Sequence, residues 1–299
     1  MFRIWVSAAR LRTLPLSVAG IVAGNALVVK HSNFSWLLFG STLLTAIVFQ
    51  ILSNFANDYG DGIKGTDNEN RIGPKRMLQQ KLLSSKALFQ GIVLTALFSL
   101  GLAVLTILIA FGFEQLTNSL LFLGLALAAI AAAYKYTAGK GAYGYHALGD
   151  VFVFLFFGLL AVCGASFLQT KSLISPVWWL AFAIGFLSVG VLNLNNMRDM
   201  KNDTAAGKKT LASIWGLPNA KKYHAILVLG AIASLCIGLM LIAQSLWHYL
   251  PLLVILPLGI QLAKTLKIDV HVDFDPLLKP LALTTFVLSL MLFATQFLF

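Results

Sequence analysis

Residues 87–111 read ALFQGIVLTALFSLGLAVLTILIAF. None of them is charged, and the run exceeds the roughly 20 apolar residues that a helix needs to cross a bilayer. A short break, Gly112-Phe113-Glu114-Gln115, leads into a second apolar run at 117–134, which predicts two antiparallel neighbouring spans. Working outward, runs of similar length occupy 14–30, 35–57, 148–169, 174–197, 223–243, 246–263 and 281–299, the seventh and eighth also closely joined. Composition agrees. The chain has 299 residues, 59% apolar and 11% charged, with a mean hydropathy of +0.84. A soluble domain carries about 25% charged residues. Continuous apolar runs, in place of period-two alternation, exclude an outer-membrane barrel. The expectation is an all-α, polytopic membrane bundle of about nine transmembrane helices, forming a single integral membrane domain over residues 1–299.

The charges then sort by side. All of the 22 lysines and arginines except Lys30 and Lys171 fall at the N-terminus or in the connections that follow even-numbered runs. By the positive-inside rule those connections and the N-terminus face the cytoplasm, as expected for a multi-pass protein of a bacterial plasma (inner) membrane. Topology therefore accounts for most of the net charge of +11, and nucleic acid is excluded as a partner. Arg3, Arg10 and Arg12 resemble a signal-peptide n-region, but no small-residue cleavage pattern follows, so the first run is kept as a span. Cys163 and Cys236 lie inside apolar runs and read as buried hydrophobes.

Carboxylates are expensive in such a chain and therefore informative. One cluster, Asn54-Phe55-Ala56-Asn57-Asp58-Tyr59-Gly60-Asp61, follows the second run; if the helix continues, Asn54 and Asp58, and Asn57 and Asp61, are four apart on one side of it. The other, Asn195-Asn196-Met197-Arg198-Asp199 through Asp203, follows the sixth run, with Asn195, Asp199 and Asp203 on one face. Both leave even-numbered runs and share an Asn-then-Asp order, which suggests two related four-helix halves plus one helix. Opposed carboxylate clusters repel unless cations lie between them, and hard oxygen donors suit Mg2+, usually held by one or two carboxylates plus substrate phosphates. The flanking loops are basic and contain glycine, with Lys64-Gly65-Thr66, Arg71-Ile72-Gly73-Pro74-Lys75-Arg76 and Gly207-Lys208-Lys209. Carboxylates for metal beside cations for phosphate make a site for a diphosphate ester. No nucleotide-binding G-x-x-x-x-G-K-[ST] loop is present.

These motifs resemble those of the UbiA superfamily of intramembrane aromatic prenyltransferases. N-D-Y-G-D at 57–61 is similar to its first Asp-rich motif, and D-M-K-N-D at 199–203 to its second. R-T-L-P at 12–15, R-I-G-P at 71–74, Y-G-Y-H-A-L-G-D at 143–150 and L-N-N-M-R-D at 194–199 resemble the branch that prenylates 1,4-dihydroxy-2-naphthoate in menaquinone synthesis. The resemblance implies a nine-helix bundle, Mg2+ as cofactor, and polyprenyl diphosphate and dihydroxynaphthoate as substrates. Product formation would release CO2 and diphosphate and give a demethylmenaquinol. One departure is that the superfamily's third motif aspartate falls on Gly65, the next acid being Asp67.

On this reading Asn57, Asp58 and Asp61 hold one Mg2+, and Asp199 and Asp203 another with Asn195 or Asn196. Arg71, Lys75, Arg198 and Lys208 are candidate diphosphate contacts. Arg12, Lys140, Tyr134, Tyr136 and Tyr143 are candidates for the aromatic acid, although Tyr and Lys are also ordinary interfacial residues. Phe152, Phe154, Phe156 and Phe157 line the prenyl path or simply pack. Competing readings are a prenyltransferase for another acceptor or donor (4-hydroxybenzoate, homogentisate, phytyl transfer), a secondary transporter, and a non-catalytic quinone-binding scaffold. Transporter carboxylates usually lie near the bilayer midplane on broken helices, whereas these lie at helix ends.

Overall fold

The computed structural model describes residues 1–69 and 71–299. Among them nine helices are long and apolar enough to span a membrane: α1 Phe2–Ala26, α2 Trp36–Ile63, α3 Ser85–Phe111, α4 Leu116–Lys135, α5 Gly149–Thr170, α6 Val177–Ala205, α7 Leu211–Ile242, α8 Leu246–Lys267 and α9 His271–Leu298. Each corresponds to one apolar run, but several are longer than hydropathy suggests. α2 and α6 continue through their acidic motifs, because Asn and Asp spaced by four turn toward one interior and leave the backbone ladder intact. Both then stop at a glycine with positive φ, Gly65 (74°) and Gly207 (71°), a conformation that favours glycine at helix ends. α7 starts at Leu211, behind a capping box in which Thr210 accepts from the Ser213 N–H, and it kinks at Gly216 and Pro218.

α6 is the axis of the bundle. Of its apolar window 67% is buried, against 11% for α4, so α4 forms the lipid-facing flank. α6 packs on α5, α7, α9 and α1, while α2 packs on α1, α3 and α4. Two features depart from regular helix. Residues Phe154–Cys163 of α5 form a π-helix, a rare form that is frequent at functional sites. α1 is interrupted after Ala9, where Arg10 takes left-handed φ/ψ (52°, 56°) before the chain resumes at Leu11. Asn54 of α2 secures that break by donating to the Ala9 carbonyl at 2.8 Å.

Three connections meet at the acidic ends of α2 and α6. The loops after α4 and α6 are joined by Ala147 N–H to Lys209 O (2.8 Å) and Lys209 N–H to Tyr145 O (3.3 Å). Asn202 of α6 donates to the Thr66 carbonyl beyond α2 at 2.8 Å, so the two acid-tipped ends are in direct contact.

Close helix contact depends on glycine where α5 crosses α6. A Cβ added at Gly158 would lie 2.7 Å from the Gly185 Cα and 2.8 Å from the Ala181 carbonyl oxygen, both backbone. Gly158→Val should therefore lower stability by about 1–3 kcal/mol, the usual effect of overpacking, read as an earlier thermal transition of the detergent-purified protein. Gly101→Val, where nothing lies within 4 Å, should melt with the parent.

Candidate active site

Three adjoining spaces run from the acidic helix ends into the bundle. The first is a polar cage of about 50 Å3 whose wall includes Asp61, Asp67, Asp199, Asp203, Asn57, Asn195 and Asn196 together with Arg10, Arg71, Arg76 and Lys208. Arg10, Asn57, Tyr136 and Asn195 also border the second, a chamber of about 290 Å3. Ala46, Phe49, Ala129, Phe156 and Ala161 join that chamber to an apolar arm of about 190 Å3 between α2, α3, α4 and α5. Phe122, at the arm's far end, stacks on Phe167 and tilts against Phe111.

Four carboxylates and four cations line the cage, and Asp61, Asp67 and Asp203 are paired there with Arg71, Arg76 and Lys208. Arg76 donates to Asp61 at 2.8 Å and to the Asn57 carbonyl, and lies 3.0 Å from Asp67. Arg71 Nε is 3.0 Å from Asp67, and Lys208 Nζ is 3.7 Å from Asp203. Tyr145 Oη donates to Asp61 at 2.8 Å. Burial pulls the Lys208 ammonium down, but Asp61 and Asp203 outweigh that effect and hold it well above its ordinary range. Burial pushes the Asp67 carboxyl up to about 6, with Asp61 and Asp58 adding to it and Arg76 and Arg71 opposing. Burial also pushes the Tyr136 phenol up to about 12, so it borders cage and chamber as a neutral hydroxyl.

The chamber has two kinds of wall. On one side Gln50 donates to Asn54 (3.2 Å) and Asn54 to Thr13 (3.0 Å). On the other, Tyr143 stacks on Phe152 with ring centroids 3.9 Å apart, and Phe156 and Phe157 continue the surface.

Of the residues singled out from sequence, Asn57, Asp61, Asn195, Asn196, Asp199, Asp203, Arg71, Lys208, Tyr136 and Tyr143 border these spaces. Others do not. Asp58 points to the loop after α2, where its carboxylate accepts the Met77 and Leu78 N–H groups (3.0 and 3.2 Å). Arg198 stands behind the cage wall, bound to Asp199, Asp275 and Asn195. Lys75, Lys140 and Arg12 are exposed on the surface, and Tyr134 packs in the apolar cluster of α2 and α3. Phe154 packs on Phe182 and Phe186. Sequence reasoning passed over Arg10, Arg76 and Tyr145. The two arginines were indistinguishable from sidedness charges, and Tyr145 from an interfacial tyrosine.

The donor set fits Mg2+. Both Asp67 oxygens lie 3.0 Å from arginine nitrogens but accept no hydrogen bond from the described residues, which leaves acceptor capacity for a cation. Among the described residues no group of three or more His, Cys, Asp or Glu side chains is placed to hold a metal ion by itself. An open set of carboxylate and amide oxygens suits an ion that keeps waters and takes phosphate oxygens as ligands.

A bundle of membrane helices whose two acidic tips close on one cage defines a polytopic membrane protein with a buried charged site. The chain belongs to the UbiA prenyltransferase family, whose model matches residues 17–272. It is 44% identical over 236 residues to a 1,4-dihydroxy-2-naphthoate octaprenyltransferase of Haemophilus influenzae, covering 78% of this chain and 75% of that one. It is 40% identical over 251 residues to the Escherichia coli protein of the same name, covering 83% and 80%. Its fold is similar to that of a UbiA homologue from Archaeoglobus fulgidus bound to GPP and Mg2+, with a TM-score of 0.69 at 15% identity over 97% of this chain and 99% of that one.

The placement of Asp58 has a direct consequence. Asp58→Ala should free the loop at residues 75–83 and speed trypsin cleavage at Lys75, Arg76 or Lys81 by about tenfold or more, the loss of hydrogen bonds to a charged group. Asp269→Ala, which removes only a surface pair with Lys221 remote from this loop, should leave that cleavage rate within about twofold of the parent.

Proposed function

We propose that this chain transfers a polyprenyl group from polyprenyl diphosphate to 1,4-dihydroxy-2-naphthoate, releasing diphosphate and CO2 and giving a demethylmenaquinol. The observation that carries the reading is the unbroken sequence of spaces: charged cage, mixed chamber, apolar arm. They match in order the diphosphate, the reacting carbons and the hydrocarbon tail of a single donor. The curated relatives' names supply the acceptor. The same reading sets the protein in a bacterial plasma membrane with the cage toward the cytoplasm.

Asp61, Asp67, Asp199 and Asp203, with Asn57, Asn195 and Asn196, would hold Mg2+. When bound there, Mg2+ neutralises charge on a leaving diphosphate. Lys208, Arg71 and Arg76 are paired with carboxylates in the cage; with those carboxylates holding metal, these cations would be available to donate to phosphate oxygens. Fixed donors in a site of low dielectric stabilise developing charge far better than water does.

The allylic C–O bond breaks, and the ring carbon that bears the carboxylate forms the new C–C bond. The electron pair of the C–CO2 bond restores the aromatic ring, so no strong base is required. Gln50, Asn54 and Thr13 offer hydrogen bonds to the acceptor's hydroxyls, Arg10 a cation to its carboxylate, and Tyr143 with Phe152 a surface for its rings. Tyr136 remains a neutral donor between cage and chamber. An engineered cavity of about 150 Å3 holds one benzene, so the arm's 190 Å3 takes the first isoprene units and the rest of the tail lies in lipid beside α4.

Purified protein supplied with labelled prenyl diphosphate and dihydroxynaphthoate should form prenylated product and CO2 in equal amounts, and EDTA should stop both. Asp61→Ala and Asp199→Ala should lower kcat by about 10²-fold or more with unchanged membrane insertion. Preferential prenylation of 4-hydroxybenzoate or homogentisate, or most of the activity surviving in either variant, would contradict the proposal.

A further inference from the structure

Among the described residues, none of those lining the cage belongs to α9, and Asp275 of α9 is linked to it through Arg198. Arg198 is almost fully buried, at 3% side-chain exposure, and it is shared between two carboxylates. Its Nε and Nη2 donate to the two oxygens of Asp199 at 2.9 and 2.6 Å, and Nη2 also donates to Asn195. Its Nη1 donates to Asp275, the first residue of the regular part of α9 and 43% exposed. Asp199 and Asn195 border the cage, whereas Asp275 lies outside it.

Arg198 has little room to leave. A Cβ at Gly73 would come within 2.6 Å of its Nη2, so the loop after α2 lies against the guanidinium. The start of α9 is fixed beside it, with His271 Nδ1 2.8 Å from the Met197 carbonyl oxygen. A carboxylate whose two oxygens are both taken by one guanidinium is poorly available to a cation. A buried guanidinium that loses its carboxylate is strongly destabilised unless a second remains.

We propose that Asp275 is a positioning residue, the standing counter-ion that retains Arg198 when Asp199 turns to Mg2+. The inference rests on the preceding reading of Asp199 as a metal-holding residue. Asp275 keeps the guanidinium neutralised from the outer side, so release of Asp199 leaves no uncompensated buried charge. Without Asp275, Arg198 depends on Asp199 alone and competes with the metal for it.

The test is a titration with Mn2+, a paramagnetic substitute for Mg2+, on the purified full-length protein with geranyl S-thiolodiphosphate as a slowly ionising donor. Free Mn2+ is read by electron paramagnetic resonance, independent of turnover. Asp275→Asn should raise the half-saturating Mn2+ concentration about tenfold, the effect of weakening one hydrogen bond to a charged group, and Asp275→Glu should restore it. Asp269→Asn, which breaks the surface pair with Lys221, should titrate like the parent. Parental Mn2+ affinity in Asp275→Asn, even with a lower melting temperature, would overturn the inference and leave Asp275 a purely structural contact. Failure of the parent itself to bind Mn2+ would overturn the metal reading and this inference with it.

Discussion

Buried charge must be paired, and that constraint organises this protein. Asp61, Asp67, Asp199 and Asp203 occupy a cage of about 50 Å3 with Arg10, Arg71, Arg76 and Lys208. Neither set is tolerable there without the other. The carboxylates come from α2, α6 and the loop after α2, and the cations from the break in α1 and the loops after α2 and α6. The cage therefore ties together segments far apart in sequence, and the bundle cannot be drawn in at this end without assembling it. On the function proposed above, a metal ion with a diphosphate would replace cation–carboxylate pairs by charges of the same kinds.

The remaining structure serves this end of the bundle. α2 and α6 run past the point where hydropathy falls, because their acidic faces turn inward. Gly65 and Gly207 then end them in the same way. Away from the cage the polarity drops in stages, through amides and phenols in the chamber to almost purely apolar side chains in the arm. The gradient follows the donor it is proposed to receive. The π-helical stretch of α5, which contributes Phe156, Leu160 and Ala161 to those walls, redirects side chains at the point where the chamber joins the arm.

Much of this was legible in the sequence, for identifiable reasons. Spans are fixed by hydropathy because lipid gives unpaired backbone no partner, and all nine runs became helices. The acidic ends of α2 and α6 were visible because carboxylates are rare in such a chain and spaced by four. The choice between Asp58 and Asp61 was not legible. Three residues apart on a helix, they lie on nearly the same side, and only the position of the loop N–H groups at Met77 and Leu78 separates their roles. Arg10 and Arg76 were hidden for a different reason. In a chain whose cations collect on one side anyway, a cation's sequence neighbourhood does not say which carboxylate it meets. Arg198 shows the converse, because proximity to Asp199 in sequence suggested a contact with diphosphate, whereas Asp275, 77 residues on, holds it behind the wall.

The most direct test is a crystal structure with Mn2+ and an unreactive prenyl thiolodiphosphate, with anomalous scattering locating the metal. The expected result is a peak inside the cage, with oxygen ligands from both the α2 side (Asp61 or Asp67) and the α6 side (Asp199 or Asp203), and the diphosphate against Lys208. Metal bound by one acidic tip alone, or outside the space between them, would contradict the account.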